Sequence, residues 1–232
     1  MVVAGGSGLR MGGPVRKQYR TLAGRPVLAH TLAAVAACPD IAEIVLVVPA
    51  EDREMCRKTV VDSVAAAAPV RVVAGGAERQ MSVSNGLDTL AEDIDLVAVH
   101  DGVRPFVRPS EFSAVLVAAE EEGAALLAVP AADTLKRADG EGRVRETLDR
   151  ADIWLAMTPQ AFRRDLLRDA HAAARRDGVL GTDDAALVER QGKPVRLVPG
   201  SRHNLKITTP DDLILAEALL AAAPPPAASG GP

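Results

Sequence analysis

Leu96-Val97-Ala98-Val99 runs without a polar break into His100-Asp101-Gly102-Val103-Arg104-Pro105, and a helical stretch opens at Pro109-Ser110-Glu111 and continues through Glu122. A short apolar run that stops at a carboxylate and a glycine is a strand ending in a loop, and an acid just after Pro109 marks the first turn of a helix. The same rhythm recurs upstream, where Glu43 to Val48 and Val70 to Val73 each precede a helical pattern. Downstream, strands are expected at Ala125 to Val129 and Val195 to Val198, and a last helix from Pro210. Such alternation predicts an α/β fold, a mainly parallel sheet flanked by helices on both faces. In sheets of that kind, ligands sit at the carboxyl ends of the strands.

A chain of 232 residues suits one domain of generous size. That domain is expected to span residues 1–221. Residues 131–150 are read as a projecting hairpin arm, because Asp139-Gly140-Glu141-Gly142 sits between two polar segments and breaks the rhythm. The tail 222–232, built of Ala, Pro, Ser and Gly, has too little apolar bulk to order itself and is expected to be disordered. At the other end only Met1 to Ala4 precede the glycines, whereas a first strand usually takes about five residues, which points to a start upstream of Met1.

A net charge of -4 and a pI near 5.6 give no basic field, which argues against a sequence-independent grip on nucleic acid. Phosphate chemistry must then rely on local cations. The two cysteines, Cys38 and Cys56, form no CxxC pair and fit a reducing compartment. No stretch resembles a signal peptide or a membrane span, so a cytoplasmic protein without membrane partners is expected.

The first chemical site is Ala4-Gly5-Gly6-Ser7-Gly8-Leu9-Arg10-Met11, followed by Lys17-Gln18-Tyr19. Glycines directly after a strand let successive backbone N–H groups approach phosphate oxygens, and Arg10 and Lys17 add charge. The spacing is neither G-x-G-x-x-G nor a Walker loop. A glycine cluster alone is often a plain tight turn; its convergence with two cations at a strand exit favours phosphate binding. The second site is Asp101 at the end of its strand, where a hard divalent ion could bind through one carboxylate while phosphates supply other ligands. An Asp capping a turn, paired with Arg104, is the plainer account of the same residues.

Gly75-Gly76-Ala77-Glu78-Arg79-Gln80-Met81-Ser82-Val83 forms another strand exit, whose N–H groups and Ser82 hydroxyl suit the polar edge of a base. A helix-start turn explains those glycines equally cheaply. Dispersed polar groups follow: Asp133-Thr134-Leu135-Lys136, Leu148-Asp149-Arg150 with Trp154, Thr158-Pro159-Gln160, Thr182-Asp183-Asp184 and Asn204-Leu205-Lys206. Lysine is scarce, five against twenty-two arginines, so Lys17 and Lys206 suggest point-charge roles. His30, His100, His171 and His203 lack zinc-ligand spacing and are read as surface or satisfied histidines.

Taken in order, these motifs closely resemble the methylerythritol phosphate cytidylyltransferases of the non-mevalonate isoprenoid pathway, over nearly the whole chain to about Ala221. The resemblance rests on Ala-Gly-Gly-Ser-Gly-Leu-Arg-Met with Lys-Gln-Tyr, Gly-Gly-Ala-Glu-Arg-Gln-Met-Ser-Val, His-Asp-Gly-Val-Arg-Pro, Asp-Thr-Leu-Lys, Asp-Arg-Ala-Asp-Ile-Trp, Thr-Pro-Gln, Thr-Asp-Asp and Asn-Leu-Lys-Ile-Thr. It implies a Rossmann-like fold with a projecting β-arm, and transfer of the cytidylyl group of CTP to 2-C-methyl-D-erythritol 4-phosphate with release of pyrophosphate. It further implies that Arg10 and Lys17 hold the CTP phosphates and that Asp101 holds Mg²⁺. Ala4, Gly5, Gly6 and Gly8 would cradle the nucleotide, with Gly76 and Ser82 in the cytosine pocket. Thr134 and Arg150 on the arm, with Arg104, Thr158, Thr182 and Lys206, would position the substrate. Arg150 and Lys206 join Arg10 and Lys17 as catalytic. The arms of two subunits embrace in that family, so a homodimer through residues 131–150 is implied.

Ala77 stands where some relatives carry an acidic residue, which leaves base contacts there to the backbone. A ribitol 5-phosphate cytidylyltransferase would resemble the nucleotide half equally, but Leu148-Asp149-Arg150 followed by Trp154 looks more like the methylerythritol enzymes. A non-catalytic nucleotide-binding module should have lost Lys17, Asp101 or Lys206, and all are present. A fused cyclodiphosphate synthase is not expected, since nothing resembling another domain follows Lys206.

Overall fold

The protein is described here by a computed structural model covering residues 1–5 and 15–222. Its strands, in chain order, are β1 (Val2–Val3), β2 (Thr21–Leu22), β3 (Arg25–Pro26), β4 (Ile44–Val48), β5 (Val70–Ala74) and β6 (Leu96–Asp101). Then come β7 (Ala124–Pro130), β8 (Leu135–Ala138), β9 (Val144–Leu148), β10 (Trp154–Arg163) and β11 (Arg196–Pro199). The helices are α1 (Val27–Ala36), α2 (Arg53–Thr59), α3 (Arg79–Leu87), α4 (Pro109–Glu122), α5 (Arg164–Arg176), α6 (Asp184–Glu189) and α7 (Pro210–Ala222).

Among the described residues seven strands form one sheet in the order β11-β7-β10-β6-β1-β4-β5. The β1–β4, β1–β6, β4–β5 and β7–β11 pairs are parallel, while β10 runs antiparallel between β6 and β7. The expected mainly parallel sheet is therefore present, with one reversed strand in its interior.

Both faces of the sheet are covered, which is why β1, β4, β7 and the Leu96 to Val99 part of β6 are apolar without a polar alternation. On one face Leu28 and Leu32 of α1, Cys56 of α2, and Phe112 and Val115 of α4 pack on Val2, Leu46, Val48, Ala98 and Leu127. On the other, Val83 and Leu87 of α3, Leu167 and Ala170 of α5, and Leu187 of α6 pack on Val3, Val97, Val99, Leu126 and Phe162. Neighbouring residues such as Val2 and Val3, or Leu126 and Leu127, thus feed opposite cores, as the period of two requires.

The central strand β1 is short, Val2 and Val3 pairing with Leu46 and Val47 on one side and His100 and Asp101 on the other. β10 went unforeseen in the sequence. It carries Thr158-Pro159-Gln160, and its register on β7 shifts between Ala156 and Gln160, so no clean apolar run marks it. The 131–150 segment does contain a hairpin: β8 and β9 pair only with each other, and apart from half-buried Leu135 and Leu148 both strands are exposed. The last helix ends at Ala222, and the tail beyond it lies outside the described residues. No helix among the described residues is long and apolar enough to cross a membrane.

Phe112 is the largest side chain wedged between α4 and the sheet and is 2 % exposed. Phe112→Ala is expected to cost about 3–5 kcal/mol of unfolding free energy, read from chemical denaturation at unchanged m-value.

Candidate active site

Three strand exits meet at one edge of the sheet. β1 leads into Ala4 and Gly5, β5 into Gly75 and Gly76, and β6 ends on Asp101. Ala4 is fixed from two directions: its N–H donates to Val47 O at 2.8 Å, and Gln18 Nε2 donates to its carbonyl at 2.8 Å. Gln18 is buried inside the 3-10 turn Lys17–Tyr19, so this bond ties the Lys17 turn to the exit of β1. Arg16, one residue earlier, pairs with Glu51 at 2.6 Å and Asp52 at 2.8 Å beyond β4. Gly6, Gly8 and Arg10 lie outside the described residues.

The β1 and β5 exits are drawn together around Ser82. Its hydroxyl accepts from Gly76 N–H at 3.1 Å and lies 3.1 Å from Glu78 O, to which it donates. A Cβ at Gly5 would come within 2.9 Å of Ser82 Oγ and one at Gly75 within 2.7 Å, so backbone there must be bare. Ser82 is therefore a brace between two glycine turns, on the first turns of α3.

Asp101 is the centre of charge. Its carboxylate accepts from Lys206 Nζ at 2.8 Å, from Arg79 Nε at 3.4 Å and from Arg104 Nε at 3.4 Å. Burial alone would raise the Asp101 carboxyl, but Lys206, then Arg79 and Arg104, outweigh it and hold the group well below the usual carboxylate range. Arg104 also donates Nη1 to Asn204 O at 2.8 Å, and Ile207 N–H donates to Val103 O at 2.9 Å, which together seat the Asn204-Leu205-Lys206 segment beside β6.

Behind Asp101 stands a satisfied relay. The Asp101 N–H donates to Thr158 Oγ1 at 3.0 Å, Thr158 lies 3.1 Å from His100 Nδ1, and His100 Nε2 lies 3.0 Å from Arg104 O. A carbonyl only accepts, so Nε2 carries the proton, Nδ1 accepts from the Thr158 hydroxyl, and the imidazole is neutral. Burial pushes His100 down to about 4, partly offset by the Arg104 carbonyl. Thr158 is thus buried with its hydroxyl committed on both sides, one layer behind the carboxylate.

A second charged chain leads away from Asp101. Arg79 Nη1 donates to Asp184 Oδ2 at 2.8 Å, and His171 Nε2 meets Asp184 Oδ1 at 3.0 Å. Asp184 opens α6 and is buried; burial alone would raise its carboxyl, but His171 and Arg79 hold it low. Gln80 donates to Val179 O at 3.1 Å and accepts from Gly181 N–H at 2.9 Å, fixing the loop that carries exposed Thr182.

Of the residues singled out from sequence, Ala4, Gly5, Gly76 and Ser82 gather at the β1 and β5 exits, and Asp101, Arg104, Thr158 and Lys206 at the β6 exit. Thr134 and Arg150 lie exposed at the base of the arm. Among the described residues no hydrogen bond or ion pair joins either side chain to the Asp101 cluster. Sequence reasoning gave no role to Arg79, Asp184 or His171. Arg79 stood inside a quoted motif, but its partner lies 105 residues away, and nothing in one sequence pairs them. Nor do three His, Cys, Asp or Glu side chains cluster to hold a metal unaided among the described residues.

Glycine turns and convergent cations at the carboxyl edge of a Rossmann-like sheet define the fold of a nucleotidyltransferase. Residues 1–222 match the family IspD, 2-C-methyl-D-erythritol 4-phosphate cytidylyltransferase, and the chain belongs to it. A 2-C-methyl-D-erythritol 4-phosphate cytidylyltransferase of Syntrophus aciditrophicus is 51% identical over 94% of this chain and 93% of its own. One from Pelotomaculum thermopropionicum is 48% identical over 94% and 92%. Among solved structures, the 4-diphosphocytidyl-2C-methyl-D-erythritol synthase of Anaerococcus prevotii superposes with a TM-score of 0.84 at 32% identity, covering 95% of this chain and 94% of that one.

Two outcomes follow from the relay behind Asp101. Thr158→Val strands the Asp101 N–H and His100 Nδ1 and should cost about 2–3 kcal/mol, whereas Thr158→Ser should recover most of it, as read from thermal and urea unfolding. His100 is neutral when folded, so between its ordinary 6.5 and about 4 the unfolded chain binds the extra proton. Its contribution to stability is whole above pH 6.5 and falls as pH drops to about 4, a slope that His100→Gln should flatten in pH-dependent urea unfolding.

Proposed function

We propose that the strand-edge cluster joins CTP to 2-C-methyl-D-erythritol 4-phosphate, giving 4-diphosphocytidyl-2-C-methyl-D-erythritol and pyrophosphate, in the service of isoprenoid precursor synthesis in the cytoplasm. The observation that carries this reading is the convergence of Lys206, Arg79 and Arg104 on one buried carboxylate, beside two glycine turns at the same edge. Two anions must meet for this reaction, and fixed cations at that edge reduce their repulsion.

The acceptor's phosphate oxygen attacks the α-phosphorus of CTP in line, and pyrophosphate leaves from the opposite side. Catalysis is then positioning and electrostatic stabilisation, with no covalent intermediate on the protein. Arg10 and Lys17 hold the triphosphate, and Ala4, Gly5, Gly6 and Gly8 form the nucleotide-binding loop. Gly76 presents its backbone to the cytosine, with Ser82 bracing that turn. Asp101 suits a divalent ion of the Mg²⁺ kind: a single carboxylate is enough where phosphates complete the coordination, and the ion would supply charge neutralisation at those phosphates. Lys206, whose side chain is 38% exposed, exchanges the carboxylate for substrate phosphate. Arg104 and Thr158 keep Asp101 oriented, and Thr182 faces the acceptor. Thr134 and Arg150 lie apart from the cluster in one chain, which supports a homodimer in which the partner's 131–150 arm completes the acceptor site.

The test is pyrophosphate release with CTP, UTP, ATP and GTP, each paired with methylerythritol phosphate and ribitol 5-phosphate. Turnover is expected only for CTP with methylerythritol phosphate. Preference for ribitol 5-phosphate, or CTP binding without turnover, would refute it. Lys17→Ala or Arg10→Ala should lower turnover by about two or more orders of magnitude; wild-type kinetics in either would remove the assignment. Dimerisation is checked by sedimentation, where deletion of residues 135–148 should yield monomers lacking acceptor-dependent turnover.

A further inference from the structure

Arg79, Asp184 and His171 form a chain of contacts that the reaction as described does not use. Asp184 is 1% exposed and spends both carboxylate oxygens, Oδ2 on Arg79 Nη1 at 2.8 Å and Oδ1 on His171 Nε2 at 3.0 Å. Arg79 then reaches forward, Nε lying 3.4 Å from Asp101 Oδ1. Burying a carboxylate is costly and seldom stabilises a fold more than apolar packing would, so such a pair is better explained by the geometry it imposes.

Two of the three cations at Asp101, Lys206 and Arg79, are held differently. Lys206 is a single flexible ammonium, bonded at its tip to Asp101 and 38% exposed. Arg79 is anchored behind by a carboxylate that is itself anchored by α5, and its guanidinium plane is fixed by two acidic partners at once. A ligand that displaced Lys206 from Asp101 would leave Arg79 still bonded to Asp184. We infer that Asp184, backed by His171, is a positioning residue that fixes the Arg79 guanidinium beside Asp101 as a permanent phosphate-side cation. The inference rests on the cytidylyl-transfer reading above and extends it to three residues from α3, α5 and α6.

The test is a double-mutant cycle on the full chain, with Arg79→Gln, Asp184→Asn and the pair combined. Asp184→Asn should lower kcat by about ten- to hundredfold, the usual effect of losing the support of a ligand at a metal or phosphate site, with a smaller change in the KM for methylerythritol phosphate. In the Arg79→Gln background the same substitution should change kcat by less than about twofold, because its route of action is gone. A merely structural role predicts the opposite, losses that multiply in the double variant. Multiplying losses, or an Asp184→Asn enzyme within twofold of wild type, would overturn the inference. If Asp184→Asn fails to fold, His171→Gln enters the cycle with the same expectation. The wild type, assayed alongside, tests the underlying reading separately: if it turns over no acceptor, that reading fails. The cycle is then scored on CTP–Mg²⁺ affinity by calorimetry, where the same non-additivity is expected and additivity overturns the inference.

Discussion

The Asp101 carboxylate, buried at the end of β6 and surrounded by Lys206, Arg79 and Arg104, is the interaction on which the rest of the site depends. A charge withdrawn from water must be compensated or neutralised, and here three cations compensate it. Each comes from a different part of the chain: the first turn of α3, the loop after β6 and the segment before α7. The carboxylate thus gathers positive charge that the chain as a whole, at -4, does not possess.

That arrangement needs a rigid edge, and the double-sided core supplies one. Val2 and Val3 bind β1 to β4 and β6 while pointing into opposite cores, so the exits of three strands cannot shift independently. The reversed strand β10 contributes polar support that a purely parallel sheet would lack. Thr158 holds the Asp101 backbone and the neutral His100, and Gln160 reaches Asp183 at 2.8 Å and Ala185 N–H at 3.1 Å, pinning the start of α6. Asn204 donates to Thr158 O at 2.8 Å, closing the circuit back to the Lys206 segment.

Much of this was legible in the residues and some was not, for physical reasons. β4, β5, β6 and β7 could be read because strands buried on both faces are short apolar runs. β10 could not, because its buried stretch begins with Thr158-Pro159-Gln160 ahead of Ala161 and Phe162, and the polar groups of Thr158 and Gln160 find partners only in the folded chain. Asp101 and the glycine turns announced themselves by residue type at strand ends, and Lys206 by the scarcity of lysine in the chain. Arg79, Asp184 and His171 did not: an ion pair 105 residues apart leaves no local pattern, and His171 looked like any satisfied histidine, which is what it is, satisfied by the carboxylate that holds Arg79. The arm was visible as polar hairpin sequence, and its two strands pair only with each other.

The central claim is that this edge of the sheet assembles cations and one carboxylate around a metal-bearing triphosphate. Diffraction from crystals grown with CTP and Mn²⁺, with the metal located by anomalous scattering, tests it most directly. The account predicts a metal within coordination distance of Asp101 and of triphosphate oxygens, with Lys206 Nζ moved from the carboxylate to phosphate and Arg79 still on Asp184. A triphosphate bound elsewhere, or a metal with Asp101 still paired to Lys206 and out of its reach, would contradict it.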